Sequence, residues 1–127
     1  MPLVISERPV TKWEPVPPEG ASHFCISIDS SYLSRAYDLS DGDRLKGKIL
    51  TFKEGSEEFN ELRGRDIEFI LLNILNSDYL FISKKDWEEL REYGLVRLGY
   101  YISVKIEKAI RKDGMEVPLY TKRDVEI

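Results

Sequence analysis

His23 and Cys25 are the only histidine and the only cysteine of the 127 residues, and they stand two positions apart. On a strand that spacing turns both side chains to one face. A Cys–His nucleophilic pair would need that geometry, but the surrounding sequence offers no group to orient the imidazole. A zinc site would need two further ligands, and no second histidine or cysteine exists to supply them. The plainer reading is a core cysteine beside a surface histidine. Asp38, Asp41 and Asp43 crowd around Gly42 like the start of a calcium loop, without the other oxygen ligands and distal glutamate such a loop requires. A tight turn accounts for them. Glu57, Glu58 and Glu61, and likewise Glu88, Glu89 and Glu92, could divide acid and base roles only in a cleft that separates their pKa values. Their polar neighbours make both runs solvated surface.

Positive charge is more orderly. Arg44, Lys46 and Lys48 alternate with Leu45, Gly47 and Ile49, so the three cations share one face of a strand. Arg35 falls on the short helix before that strand. Later in the chain Arg91 holds a similar place on a helix, and Lys105 and Lys108 lie on a strand that runs toward Arg111 and Lys112. A face of this kind can contact phosphates, which need only charge and donors at about their own spacing. The competing reading is a wet strand face paired with carboxylates of neighbouring strands. Seven tyrosines are many for this length. They could stack bases of single-stranded nucleic acid, or pack cores and interfaces. No phosphate-binding Gly-x-x-x-x-Gly-Lys loop is read here, and neither a Gly-x-Gly-x-x-Gly turn nor a Gly-x-Ser-x-Gly elbow occurs. Those absences weigh against an enzyme, and no cofactor is implied.

The elements that must position these residues follow from local pattern. Residues 1–20 hold five of the six prolines, which remove backbone donors and push their predecessors to extended conformations. They read as an extended arm, with an edge strand at 10–16 and Trp13 as its anchor. Strands are expected at 23–28, 44–52, 66–73, 78–82, 100–110 and 116–120. Helices are expected at 31–37, capped from Asp29, Ser30 or Ser31, and at 83–93, opened by Ser83 and Asp86 and stopped by Gly94. A single helical turn is expected at 57–62. Turns fall at 40–43, at Asn76-Ser77 and at 112–115.

Charge and composition bound the class. Hydrophobic residues are 42% and charged residues 33% of the chain, with a net charge of −4 and a pI near 5.1. This is ordinary for one globular domain, and a dedicated nucleic-acid binder is more often basic. The lone cysteine favours a reducing compartment, and no signal peptide or membrane span is read, so the expected location is cytoplasmic with no membrane partner.

Residues 25–39, CISIDSSYLSRAYDL, lie over residues 81–95, FISKKDWEELREYGL, when Cys25 is set on Phe81. Ile26 then meets Ile82, Ser27 meets Ser83, Arg35 meets Arg91 and Tyr37 meets Tyr93. One extra residue later, Lys48 meets Lys105 and Ile49 meets Ile106. A duplication is read from this: two β-α-β-β units at about 22–65 and 66–127, inside one domain at 21–127.

The segment ISIDSSYLSRAYDLSDGDRL at 26–45 resembles the AbrB/MazE/SpoVT swapped-hairpin pattern, with Leu39, Gly42, Asp43 and Leu45 in the expected places. The resemblance covers about twenty residues. It departs in having Asp29 where the family usually carries proline, in a longer helix, and in Gly99-Tyr100 replacing the Gly-Asp pair of the second copy. It implies a closed barrel, and DNA binding through arginines on one face. The expectation is therefore an α+β, mostly β, barrel-like domain with short helices, acting as a non-enzymatic binding module. One reading makes it a DNA-binding regulator that uses Arg35, Arg44, Lys46, Lys48, Arg91 and Lys105. The other makes it a protein–protein interaction module.

Overall fold

The computed structural model describes residues 2–6, 17–28, 30–50, 63–92 and 101–119. Their order is β1 (Pro2–Ser6), β2 (Ala21–Ile28), α1 (Tyr32–Ala36), β3 (Arg44–Leu50), β4 (Asp66–Ile74), β5 (Ser77–Ser83), α2 (Lys84–Glu92), β6 (Tyr101–Ile110) and β7 (Glu116–Pro118). The expected strand at 10–16, the helical turn at 57–62, Trp13 and the stop at Gly94 lie outside the described residues. The arm nevertheless contributes a strand that sequence pattern did not reveal, because β1 pairs with β6 from Pro2 opposite Lys105 to Ser6 opposite Tyr101.

Six strands follow one antiparallel path, β1-β6-β3-β4-β5-β2, and β7 joins β6 beside it. This corrects the expectation of a barrel. The sheet is open, with β1 and β2 at its two ends and no ladder between them among the described residues. The outer edge of β6 is shared by two short pieces. Its first half takes the five residues of β1, and Lys108–Ile110 take the three residues of β7. Beyond β7 the Leu119 N–H still donates to the Glu107 carbonyl of β6 at 2.7 Å. The barrel geometry implied by the swapped-hairpin resemblance is absent.

In the β2–β5 ladder Cys25 lies directly opposite Phe81, and in the β3–β6 ladder Lys48 lies directly opposite Lys105. These are the pairs that the sequence overlay places in equivalent positions.

The antiparallel path also sorts the loops. α1, the 40–43 turn, the β4–β5 turn and the β6–β7 turn gather at one end of the sheet, while α2 departs from the far end of β5. Inward positions alternate as strand geometry requires. Leu45 and Ile49 on β3, Ile67, Phe69 and Leu71 on β4, and Leu80 and Ile82 on β5 form one buried cluster with Leu33, Leu39 and Leu90. Glycine is needed at 47, where a Cβ would be driven into the Lys105 carbonyl. That close approach accompanies a register shift between Lys46 and Gly47, which leaves Glu107 as the extra residue on β6.

Candidate functional site

Each helix start is built by an aspartate. Ser31 precedes α1 but makes no side-chain cap. The acceptor is Asp78 of β5, which takes the N–H groups of Leu33 at 2.8 Å and Ser34 at 3.2 Å. Its other oxygen accepts the Asn73 side-chain amide at 2.8 Å. Asp78 is fully buried, so each of these bonds replaces water that the carboxylate has lost. The cap expected from Ser31 is thus corrected to one supplied from 45 residues away in sequence, and Asp29 lies outside the described residues. For α2 the expected Ser83–Asp86 motif is present. The Asp86 N–H donates to Ser83 Oγ at 3.2 Å, and the Ser83 hydroxyl donates to the Asp86 carboxylate at 2.8 Å. That carboxylate also accepts the Glu68 N–H, tying the helix to β4. Burial pushes the Asp86 carboxyl above its ordinary range, against the lowering effect of those hydrogen bonds, and the nearby Glu68 and Glu89 charges add to the rise.

Of the six cations expected to bind nucleic acid, Arg44, Lys46, Lys48 and Lys105 fall on one face of the β3–β6 ladder, while Arg35 and Arg91 lie on helices at opposite ends of the sheet. Arg44, Lys46 and Lys48 do alternate on β3, but β4 meets them with carboxylates. Arg44 pairs with Glu68, Lys46 stands 3.9 Å from Glu68, and Lys48 lies 3.2 Å from Asp66. Lys105 is half-buried on β6 opposite Lys48. Arg35 lies in the last turn of α1 and Arg91 in the last turn of α2, and these helices spring from opposite ends of the sheet. Arg91 sits 5.1 Å over the Trp87 ring. The spacing Gly42-x-x-x-x-Gly47-Lys48 does occur in the chain. It is no phosphate loop, because Ile49 follows and the segment is a turn entering β3, not a loop entering a helix.

The remaining candidates resolve into structural ties. Asp43 accepts the Ser40 N–H at 2.8 Å and Asp41 the Asn73 N–H at 2.7 Å, so two of the three aspartates of the calcium-like run hold the 40–43 turn in place. Among the described residues no group of three or more His, Cys, Asp or Glu could hold a metal ion. Nor is any described helix long and apolar enough to cross a membrane. His23 and Cys25 fall on β2, but their side chains lie outside what is described.

Two features were not found from sequence. One is a groove of about 510 Å³ over β3, β4, the start of α2 and β6, lined by Lys46, Lys48, Lys85 and Lys108 and by Asp66, Glu68, Asp86 and Glu107. The other is the β4–β5 turn. It is Leu75-Asn76, one residue earlier than expected, with both at positive φ, 51° and 63°. Leu75 is 92% exposed, and the other large exposed hydrophobics among the described residues are Tyr32 at 50% and Met115 at 56%. All three belong to the α1 end. A leucine where asparagine or glycine is usual was legible in the sequence only once the turn had been placed at that residue.

Comparison with protein-family models, with curated proteins and with solved structures finds no match.

Proposed function

We propose that this chain is a non-enzymatic binding module whose partner is a protein, engaged through the loops at the α1 end. The carrying observation is Leu75. Both central residues of a two-residue hairpin loop take positive φ in the type I′ pattern, which asparagine and glycine adopt readily. For a leucine that backbone costs about 1–2 kcal/mol, and near-complete exposure leaves its side chain unburied as well. Strain and exposed apolar area at one residue are features that functional surfaces retain. Tyr32 and Met115 extend the same end with an aromatic ring and an adaptable thioether. The DNA reading is less favoured, because the β3 lysines and Arg44 are met by Glu68 and Asp66, leaving little unbalanced charge to displace counterions.

The test compares the tagged wild-type chain with Leu75→Asn in the cells that make it. Asparagine suits the turn, so the unfolding midpoint is expected to stay the same or rise by an amount worth about 1 kcal/mol. The protein partner recovered with wild type should be lost with the variant. Recovery of the same partner by both would overturn the reading. So would binding to mixed-sequence duplex DNA that weakens steeply with salt and vanishes in an Arg44, Lys46, Lys48 triple alanine variant.

A further inference from the structure

The groove over β3 and β4 has an uneven distribution of unmet charge. On its floor Lys46 shares Glu68 with Arg44, and Lys48 meets Asp66. Lys108 on one wall is held 3.1 Å from Glu116. Asp86 on the other wall is occupied by the Glu68 N–H and the Ser83 hydroxyl. Two lining charges remain. Lys85, in the first turn of α2, and Glu107, the bulged residue of β6, are both exposed, and neither side chain makes a hydrogen bond or ion pair among the described residues.

These two stand on opposite walls. The path from β6 through β3 and β4 to β5 crosses three interstrand steps, about 14 Å at a spacing of about 4.8 Å. An extended polypeptide rises about 3.3 Å per residue, so about four or five residues cover that span. The geometry points to a dipolar peptide as the ligand of this groove: a short extended segment with an acidic group placed at Lys85 and a basic group at Glu107. The shared chemistry can come from a free oligopeptide, through its two termini, or from a longer chain carrying a lysine and a glutamate four residues apart. In an extended segment residues i and i+4 lie on one face, about 13 Å apart, so either source matches the walls. A polyanion does not, because four carboxylates line the same groove. Both contacts are exposed ion pairs, so binding is weak and falls with salt.

This site is separate from the Leu75 turn, and its test is independent of that reading. The full chain, isotopically labelled, is titrated at low ionic strength with three probes while its amide signals are followed. The probes are tetra-alanine with free termini, the same peptide acetylated and amidated, and a blocked Lys-Ala-Ala-Ala-Glu peptide. Shifts are expected at 46–48, 66–68, 83–86 and 107–108 with a charged probe and not with the neutral one. Response to the first charged probe alone assigns the free-peptide source, and response to the third alone assigns a segment of a longer chain. Lys85→Ala and Glu107→Ala are each expected to weaken binding about fivefold, the upper range for one exposed ion pair, while Leu75→Asn leaves it unchanged. Both alanine sites are exposed, so the remaining spectrum should keep its dispersion. No shifts with either charged probe, equal shifts with the neutral peptide, or unchanged binding by both alanine variants would overturn the assignment. Shifts produced by duplex DNA in place of the peptides would overturn it too.

Discussion

Asp78 illustrates what a single residue can decide in this chain. It lies on the inward phase of β5 with Leu80 and Ile82, is fully buried, and satisfies two orphan amides of α1 and one amide of Asn73. A five-residue helix is too short to be stable by itself, so α1 depends on this carboxylate and on Leu33 in the core. Asp78→Ala leaves those donors buried without an acceptor. The expected loss is about 3 kcal/mol, read as a lowered urea midpoint with an unchanged slope. Asp78→Asn, which keeps one acceptor oxygen, should lose less. An alanine variant as stable as wild type would mean that water replaces the carboxylate. An aspartate in phase with leucine and isoleucine was a legible signal that a buried partner existed. Which partner it was could not be read, because caps are sought within a few residues and this one acts across the fold.

At the scale of elements, α2 is held by Asp86, whose raised pKa carries a pH dependence of definite sign. The folded state retains the Asp86 proton at pH values where the unfolded chain has released it, so more protons are bound in the folded form. Stability then falls as pH rises from the ordinary aspartate range through the folded pKa of Asp86. Other carboxylates titrate nearby, so the contribution is isolated as the difference between wild type and Asp86→Asn. Urea midpoints from about pH 3.5 to 7 should show wild type losing ground to the variant as pH rises, and parallel profiles would contradict the stated sign. The strand β3 depends in a different way on Gly47, where any Cβ collides with the Lys105 backbone of β6. Gly47→Ala is expected to cost about 2 kcal/mol, checked by the same denaturation. Helices, hairpins and the 40–43 turn were legible because their signals are local: Ser83 and Asp86 open α2, Gly42 takes φ of 90°, and Gly114 takes φ of 90° in the β6–β7 turn. β1 was not, because its pairing with β6 joins residues about a hundred positions apart, and nothing in Pro2–Ser6 alone announces a partner.

Across the whole molecule, antiparallel pairing and an internal overlay of sequence converge on the same two residue pairs, Cys25 with Phe81 and Lys48 with Lys105. The overlay rests on Ile26, Ser27, Arg35 and Tyr37 and their counterparts, and the closed barrel expected alongside it is wrong, because the sheet is open. Closure would require the two end strands, β1 and β2, to pair, and no local pattern in either segment specifies a partner so far away in the chain. This arrangement implies a gradient of stability. β3 is flanked on both sides by ladders, to β4 and to β6, and carries Leu45 and Ile49 into the core. β7 has three residues on one ladder, and β1 has five on one ladder. Amides in such edge strands open by local fraying, whereas central amides exchange only when the whole domain unfolds. Native-state hydrogen exchange is therefore expected to find the slowest amides among the ladder positions of β3, β4 and β5. Their exchange should approach the global unfolding free energy, and Asp78→Ala should lower them together. Amides of β1 and β7 should exchange at least a hundredfold faster, a difference of about 2.7 kcal/mol, and be little affected by that variant. Protection of β1 equal to that of β3 would show that the arm is locked by further contacts and that the open edge is covered, and the gradient argued from the strand path would then fail.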